Sequence, residues 1–195
     1  MYPDHEGTSA YLKSLSLDEL AQLDETMNDG LLVDWAPQPG PQLEAYVSRA
    51  DVLLFGGQAG GGKSDLILGV AGTQHTRSVI FRRVSPSLRA LLDRSRGMFN
   101  PGRDPVSIDS LNESLQRWRL NWDTPQARQI EFSSLEHEKD VQKHQGQPRD
   151  LHAFDEVTEF TEYQFRFAIG WNRTTKPGQR CRVLAASNPP TTQDG

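Results

Sequence analysis

Cysteine is nearly absent from this chain: Cys181 is the only one in 195 residues. An internal disulfide is therefore impossible, and a reducing compartment is expected. Cys181 itself reads as a small apolar residue of a strand. Long apolar runs are missing too. Nothing approaches the roughly 20 residues of a membrane span, so no membrane partner is expected. The opening run MYPDHEGTSAYLKS has neither the basic nor the apolar segment of a secretory leader, so a cytoplasmic protein that is not secreted is expected. A surplus of basic charge is also lacking. The formal net charge is -5 and the pI about 5.5, which does not mark a general polyanion binder. Internal repeats and low-complexity segments are absent.

The charge is nevertheless uneven. Residues 1–34 carry eight acids against Lys13 alone, whereas residues 77–103 carry seven arginines against Asp93 alone. Such a basic stretch suits a polyanion or a solvated helix face. The segment SLSLDELAQLDETM opens on a capping box, Ser16 with Glu19, and continues with Leu17, Leu20, Leu23 and Met27 at helical spacing. Residues 1–34 are expected to form a short acidic helical appendage, and residues 35–195 the main domain.

What is present in strength is VLLFGGQAGGGKSDLIL, residues 52–68. Val52 to Phe55 suit a buried parallel strand. Gly57, Gln58, Ala59, Gly60, Gly61, Gly62, Lys63 and Ser64 then fit G-x-x-x-x-G-K-[ST], the phosphate-cradling loop. The glycines let backbone N–H groups close around phosphate oxygens. A helix starting near Lys63 adds roughly half a positive charge at its N-terminus. Lys63 would reach the β- and γ-phosphates, and Ser64 would hold Mg²⁺ through its hydroxyl. Such a match arises by chance on the order of once in a hundred chains of this length. The expected ligands are ATP and Mg²⁺.

Downstream, a helix is expected from about Pro41 and a strand over 77–84. SPSLRALLDRSRGMF reads as a helix with Pro86 near its start, where proline is tolerated. RWRLNW and RQIEFSSL read as two strands around the turn DTPQ. A strand is expected over 150–157, TEFTEYQFRFAIGWN is expected to be helical, and a last strand is expected over 180–190. Strands alternating with helices after a phosphate loop predict an α/β fold, a P-loop NTPase of RecA-like or additional-strand type with a mainly parallel sheet flanked by helices.

Leu151 to Phe154 lead into Asp155-Glu156. An apolar strand ending in two acids fits a metal-holding Asp155 and a hydrolytic base at Glu156. The alternative is that the pair caps the next helix. A second acid suits water as the nucleophile, which disfavours a small-molecule kinase. In AASNPP, Ser187 and Asn188 end the last strand, where short polar side chains can sense the γ-phosphate or simply form a turn.

The run FGGQAGGGKS … VIFRR … IEFSSLEHEKDVQKHQGQPRDLHAFDEVTEFTEYQF … WNR … AASNPP resembles the ATPase half of the large terminase subunit of tailed bacteriophages, over roughly residues 35–192. The KHQGQ segment before the acidic strand makes the resemblance specific. It implies a motor that drives double-stranded viral DNA through a portal protein into a procapsid, as a homo-oligomeric ring working with a small terminase subunit. The location implied is the cytoplasm of the infected bacterium, transiently at the procapsid portal. By the same resemblance Lys63 and Ser64 are the phosphate and Mg²⁺ ligands, Asp155 the Walker B acid, Glu156 the base and Ser187-Asn188 the coupling motif. Gln42 is similar to the adenine-recognising glutamine, with Gln38 as its competitor.

The resemblance departs from the family pattern in two places. Many members have an arginine inside the phosphate loop, where Gln58 stands here. Arg82, Arg83 and Arg173 are then candidates for the arginine finger, with Arg173 in WNRT preferred. Supplied to a neighbouring subunit, such an arginine is worth about three decades in rate or more. The family's RNase H-like nuclease half has no counterpart by residue 195, so nuclease activity is not expected from these residues and the ATPase sheet is expected to be incomplete at its C-terminal side. Two rivals stand beside this reading: a RecA-like helicase or DNA-repair ATPase, and an inactive terminase remnant that only binds nucleotide or partners.

Overall fold

A computed structural model describes residue 33 and residues 35–58, 60–99 and 110–188. The acidic helix expected within residues 1–34 lies outside the described residues. The elements, in chain order, are α1 (Pro41–Val47), β1 (Val52–Gly56), α2 (Lys63–Thr73), β2 (Arg77–Arg82), α3 (Ser85–Phe99), β3 (Ser110–Asn112), β4 (Arg117–Leu120) and β5 (Arg128–Ser134). A 3-10 turn (Glu138–His144), β6 (Leu151–Asp155), a shorter 3-10 turn (Val157–Glu159), α4 (Glu162–Ile169) and β7 (Arg182–Ser187) complete them.

The seven strands form one sheet in the order β1-β7-β6-β2-β5-β4-β3. Strands β1, β7, β6, β2 and β5 run parallel, and β4 and β3 are antiparallel additions at one side. β7 lies between the phosphate-loop strand β1 and the acidic strand β6, which is the additional-strand arrangement. Every residue of β6 and β7 is buried, as a parallel sheet covered on both faces requires.

The period of two persists inside these apolar strands. Ile80, Ala153, Leu184 and Ala186 point into one core with Leu66, Leu88 and Ile130. Val79, Phe81, Phe154, Val183 and Ala185 point into the other with Val141 and Ala168. The first core is covered by α1 to α3. α2 is central there: Leu66 to Gly72 are all buried, so it reads as apolar all round, as a core helix should. Two of its glycines permit close approach. A Cβ at Gly69 would fall 2.2 Å from the Trp35 ring, and one at Gly72 would fall 2.8 Å from Phe99. The second core is covered by the Glu138–His144 turn and α4. β1 is one of the two edge strands among the described residues, so Val52 and Leu54 are exposed on one face instead of buried as expected.

The helix expected across TEFTEYQFRFAIGWN is shorter and divided. Thr161 starts α4 as an N-cap, its side chain accepting from the Gln164 amide while the Gln164 side chain accepts from the Thr161 amide. That capping box breaks the run after Val157–Glu159. The predicted hairpin is present as β4 and β5, but β3 extends it.

Candidate functional site

The ends of β1, β6 and β7 coincide. Gly56 pairs with Ser187, and Asp155 with Ala186, so the phosphate loop, the acid pair and the Ser187-Asn188 motif emerge side by side. Carboxyl ends of parallel strands are where open α/β sheets place ligands. The loop turns through Gly60 (φ 83°) and Gly62 (φ 68°) into α2. Ala59 lies outside the described residues.

Gln42 braces this loop. It is 4% exposed, its Nε2 donates to the Gly62 carbonyl at 2.8 Å, and its Oε1 accepts from the Gln38 backbone N–H at 2.5 Å. A Cβ at Gly62 would meet Gln42 Nε2 at 2.5 Å. Both ends of the amide are thus occupied within the chain, whereas the Gln38 side chain is exposed.

Lys63 is 7% exposed. Its ammonium donates to the carbonyls of Gly57 (2.9 Å) and Gln58 (2.7 Å) and to Asn188 Oδ1 (2.8 Å). All three acceptors are neutral, so a buried cation stands in the loop without a carboxylate partner. An anion is what would compensate it.

Asp155 is fully buried. Its Oδ2 accepts from Ser64 Oγ at 2.9 Å and from Arg82 Nε at 2.8 Å, with Arg82 Nη2 at 2.5 Å. Its Oδ1 has no hydrogen-bond partner among the described residues. A buried carboxylate oxygen without a donor, beside a serine hydroxyl, is a hard-oxygen pair that suits a divalent cation. No group of three or more His, Cys, Asp or Glu gathers for a metal among the described residues. A cation here would thus take its other ligands from water and phosphate, as Mg²⁺ usually does.

Glu156 sits in left-handed backbone, φ 60° and ψ 60°, which costs about 1–2 kcal/mol for a residue with a Cβ. The turn aims its carboxylate at the end of β7. There it accepts from Asn188 Nδ2 (3.2 Å) and the Asn188 backbone N–H (3.3 Å). Asn188 therefore joins Lys63 to Glu156, its oxygen toward the cation and its nitrogen toward the anion. Ser187 Oγ meets Thr158 Oγ1 at 2.8 Å and donates to the Asn188 carbonyl at 3.0 Å. Thr158 had no motif to mark it. Its signal is only its place two residues after the acid pair.

The three arginines part company. Arg82 stands on Asp155, inside the site. Arg83 turns away and donates to the Leu135 carbonyl. Arg173 is exposed over the Trp171 ring, and its backbone N–H bonds the Arg149 carbonyl. That puts it before the start of β6, a five-residue strand or about 16 Å from the Asp155 end. Arg173 is thus too far from its own phosphate loop to contact a ligand bound there. Much of the basic stretch is tied down internally: Arg94 forks onto Asp65, and Arg96 pairs with Asp93 and Glu113.

Fold and site together define a class: an α/β P-loop fold of the additional-strand type, with loop, acid pair and polar strand end on one sheet edge. Among solved structures the chain shares the fold of large terminase ATPase domains. The large terminase of the thermophilic bacteriophage D6E gives a TM-score of 0.57 at 17% identity, over 78% of this chain and 40% of that one. Another crystal form of it gives 0.50 at 15% identity, over 78% and 38%. The large terminase ATPase domain of Thermus phage P74-26 gives 0.56 at 14% identity, over 82% and 67%. The chain thus spans about 40% of the D6E protein's length. No family model and no curated protein matches the sequence.

Proposed function

We propose that this chain is a Mg²⁺-dependent ATPase module, and that its hydrolysis drives double-stranded viral DNA into a procapsid as the motor part of a large terminase. The observation that carries the ATPase reading is the orphaned Oδ1 of Asp155 beside Ser64 and Glu156, at the end of a phosphate loop whose lysine has no anion. The shared fold with terminase ATPase domains and the KHQGQ resemblance carry the packaging reading.

Lys63 exchanges the Gly57 and Gln58 carbonyls for phosphate oxygens, and the loop amides from Gly60 to Ser64 take the rest. Ser64 Oγ and Asp155 Oδ1 would hold Mg²⁺, which when bound neutralises charge on the phosphate oxygens. Glu156 orients water in line with the γ-phosphorus and takes its proton. The water oxygen–phosphorus bond forms, the bond to the β-phosphate oxygen breaks, and ADP and phosphate leave. As Lys63 moves, Asn188 loses its acceptor contact, so occupancy of the loop reaches Ser187 and Thr158. Arg173, remote from its own loop, serves a neighbour in a ring on the portal, with the small terminase subunit as a further partner. Among the described residues no carboxylate cluster gathers for a metal, and no DNA cleavage is assigned to them.

Substituting Glu156→Gln tests the reading. ATP binding measured by calorimetry stays within about threefold, while turnover falls by 10²-fold or more, the weight of a general base. Hydrolysis by the variant near the wild-type rate would contradict the assignment. Unwinding of a forked duplex, instead of DNA-stimulated translocation, would move the reading to a helicase.

A further inference from the structure

The end of the sheet opposite the phosphate loop holds a cavity of about 570 Å³, between α1, the end of α2 and the start of β7. Arg128, Arg180, Arg182 and Lys176 line it, and no Asp or Glu does. That volume suits a small ligand, and the charged side chains that line it are all cationic.

Arg182 is the central observation. It is 1% exposed, yet its guanidinium finds only neutral acceptors. Nη2 donates to the Ala45 carbonyl at 2.8 Å, Nη1 reaches Gln74 Oε1 at 3.4 Å, and Nε has no hydrogen-bond partner among the described residues. No carboxylate there stands within ion-pair distance of it. A buried charge without a counter-ion is costly unless an anion joins it. Burial, with Arg180 nearby, lowers its pKa to about 10.

The neighbouring carboxylates do not pair with Arg182. Asp150 accepts from the Thr76 and Arg77 backbone amides, both at 3.1 Å, and faces His75 Nδ1 at 3.3 Å. Asp51, exposed, pairs with Arg180 at 3.2 Å, and Arg180 also donates to the Ser48 and Arg49 carbonyls, which hold its guanidinium at the cavity rim. Lys176 is exposed and its ammonium has no partner among the described residues. Arginine forks match phosphate oxygens two at a time, and several cations favour a multivalent anion over a single carboxylate.

We propose that this cavity binds a phosphate-bearing anion, held by Arg182 at its base and by Arg180 and Lys176 at its rim. It lies at the sheet end remote from the phosphate loop and stands whether or not the chain hydrolyses ATP. The anion is either a free phosphate compound or the phosphodiester of a nucleic acid.

The test is an NMR titration of the ¹⁵N-labelled protein with pyrophosphate, without metal. Amides of Gly178 and Gln179 report the cavity, and those of Gly60 and Gly62 report the phosphate loop. The cavity resonances shift saturably. Their apparent affinity weakens roughly threefold in Lys176→Gln and tenfold or more in the Lys176→Gln/Arg180→Gln pair, as lost charge-assisted contacts should give. Lys176→Gln touches no internal bond, so the result does not depend on the double variant folding. Shifts confined to the loop resonances, or equal affinity in wild type and variants, would overturn the proposal. A short DNA duplex added to the same sample then separates the sources. Displacement of pyrophosphate from the cavity resonances assigns it to phosphodiester, and no displacement assigns it to a free phosphate compound.

Discussion

Asn188 joins the phosphate loop to the acid pair. One amide contacts Lys63 at 2.8 Å and Glu156 at 3.2 Å, so under the proposed mechanism a change at the loop is felt at Glu156 through one side chain. Replacing it, Asn188→Ala, leaves Glu156 with only the backbone N–H of residue 188. Steady-state turnover is expected to fall by about 10–100-fold, while ATP affinity changes less than about fivefold, since the lost contact orients the base without creating the phosphate site. Equal losses in both would make Asn188 a binding residue instead. At this scale the sequence was informative where chemistry sits at strand ends. Lys63, Ser64, Asp155 and Glu156 were legible because an apolar strand runs into each group. The Arg82–Asp155 pair was not, because it depends on β2 lying beside β6. The brace from Gln42 to Gly62 was not, because it depends on α1 closing over the loop.

Among the elements, the turn from β1 into α2 has the tightest requirement. Gly62 caps α2 in left-handed backbone, φ 68°, and Gln42 Nε2 occupies the space a Cβ would need, 2.5 Å away. Gly62→Ala adds strain of about 1–2 kcal/mol and displaces Gln42. A loss of about 2–3 kcal/mol is expected by chemical denaturation. Gln42→Ala should be less than additive with it, because the clash is then absent. Strict additivity would mean that the brace is not what confines the loop. Elements with a long apolar signal, β1, β2, β5, β6, β7, α2 and α3, were readable from sequence. β3 was not, since three residues carry no period and pairing with β4 alone defines it. The Glu138–His144 turn was missed because its polar sequence shows no periodicity, although Val141 and His144 are buried. The division before α4 had a signal, Thr161 with Gln164 three residues on, but the flanking aromatics suggested one helix.

Across the whole molecule, the second core contains histidines where most folds place apolar rings. His152, in the middle of β6, lies 6.0 Å from the Phe81 ring centroid, and burial pushes it down from 6.5 to about 4. His75 and His144 are lowered as well, in both cases chiefly by burial. The unfolded chain protonates these rings as pH falls through 6.5, while the folded chain keeps them neutral further down. The folded state then binds fewer protons, so stability falls with pH, for His152 between about 6.5 and 4. Each such histidine contributes up to about 1.4 kcal/mol per pH unit in that window. Denaturation midpoints at pH 6.5 and 5 should converge in His152→Phe, and an unchanged slope would remove His152 from the account. The sheet order was legible as a class, because a phosphate loop followed by alternating strands admits few topologies. The cationic cavity at the far end was not, because Arg128, Lys176, Arg180 and Arg182 come together only when β5 and β7 lie in one sheet.

Phosphate release from ATP by the wild-type chain tests the central claim most directly, measured with Mg²⁺, with a metal chelator, and with double-stranded DNA added. The account predicts steady release in Mg²⁺, loss of it in chelator, and acceleration by duplex DNA. Binding of ATP without phosphate release, with Mg²⁺ and DNA both present, would contradict it and leave a nucleotide-binding module without a motor's chemistry.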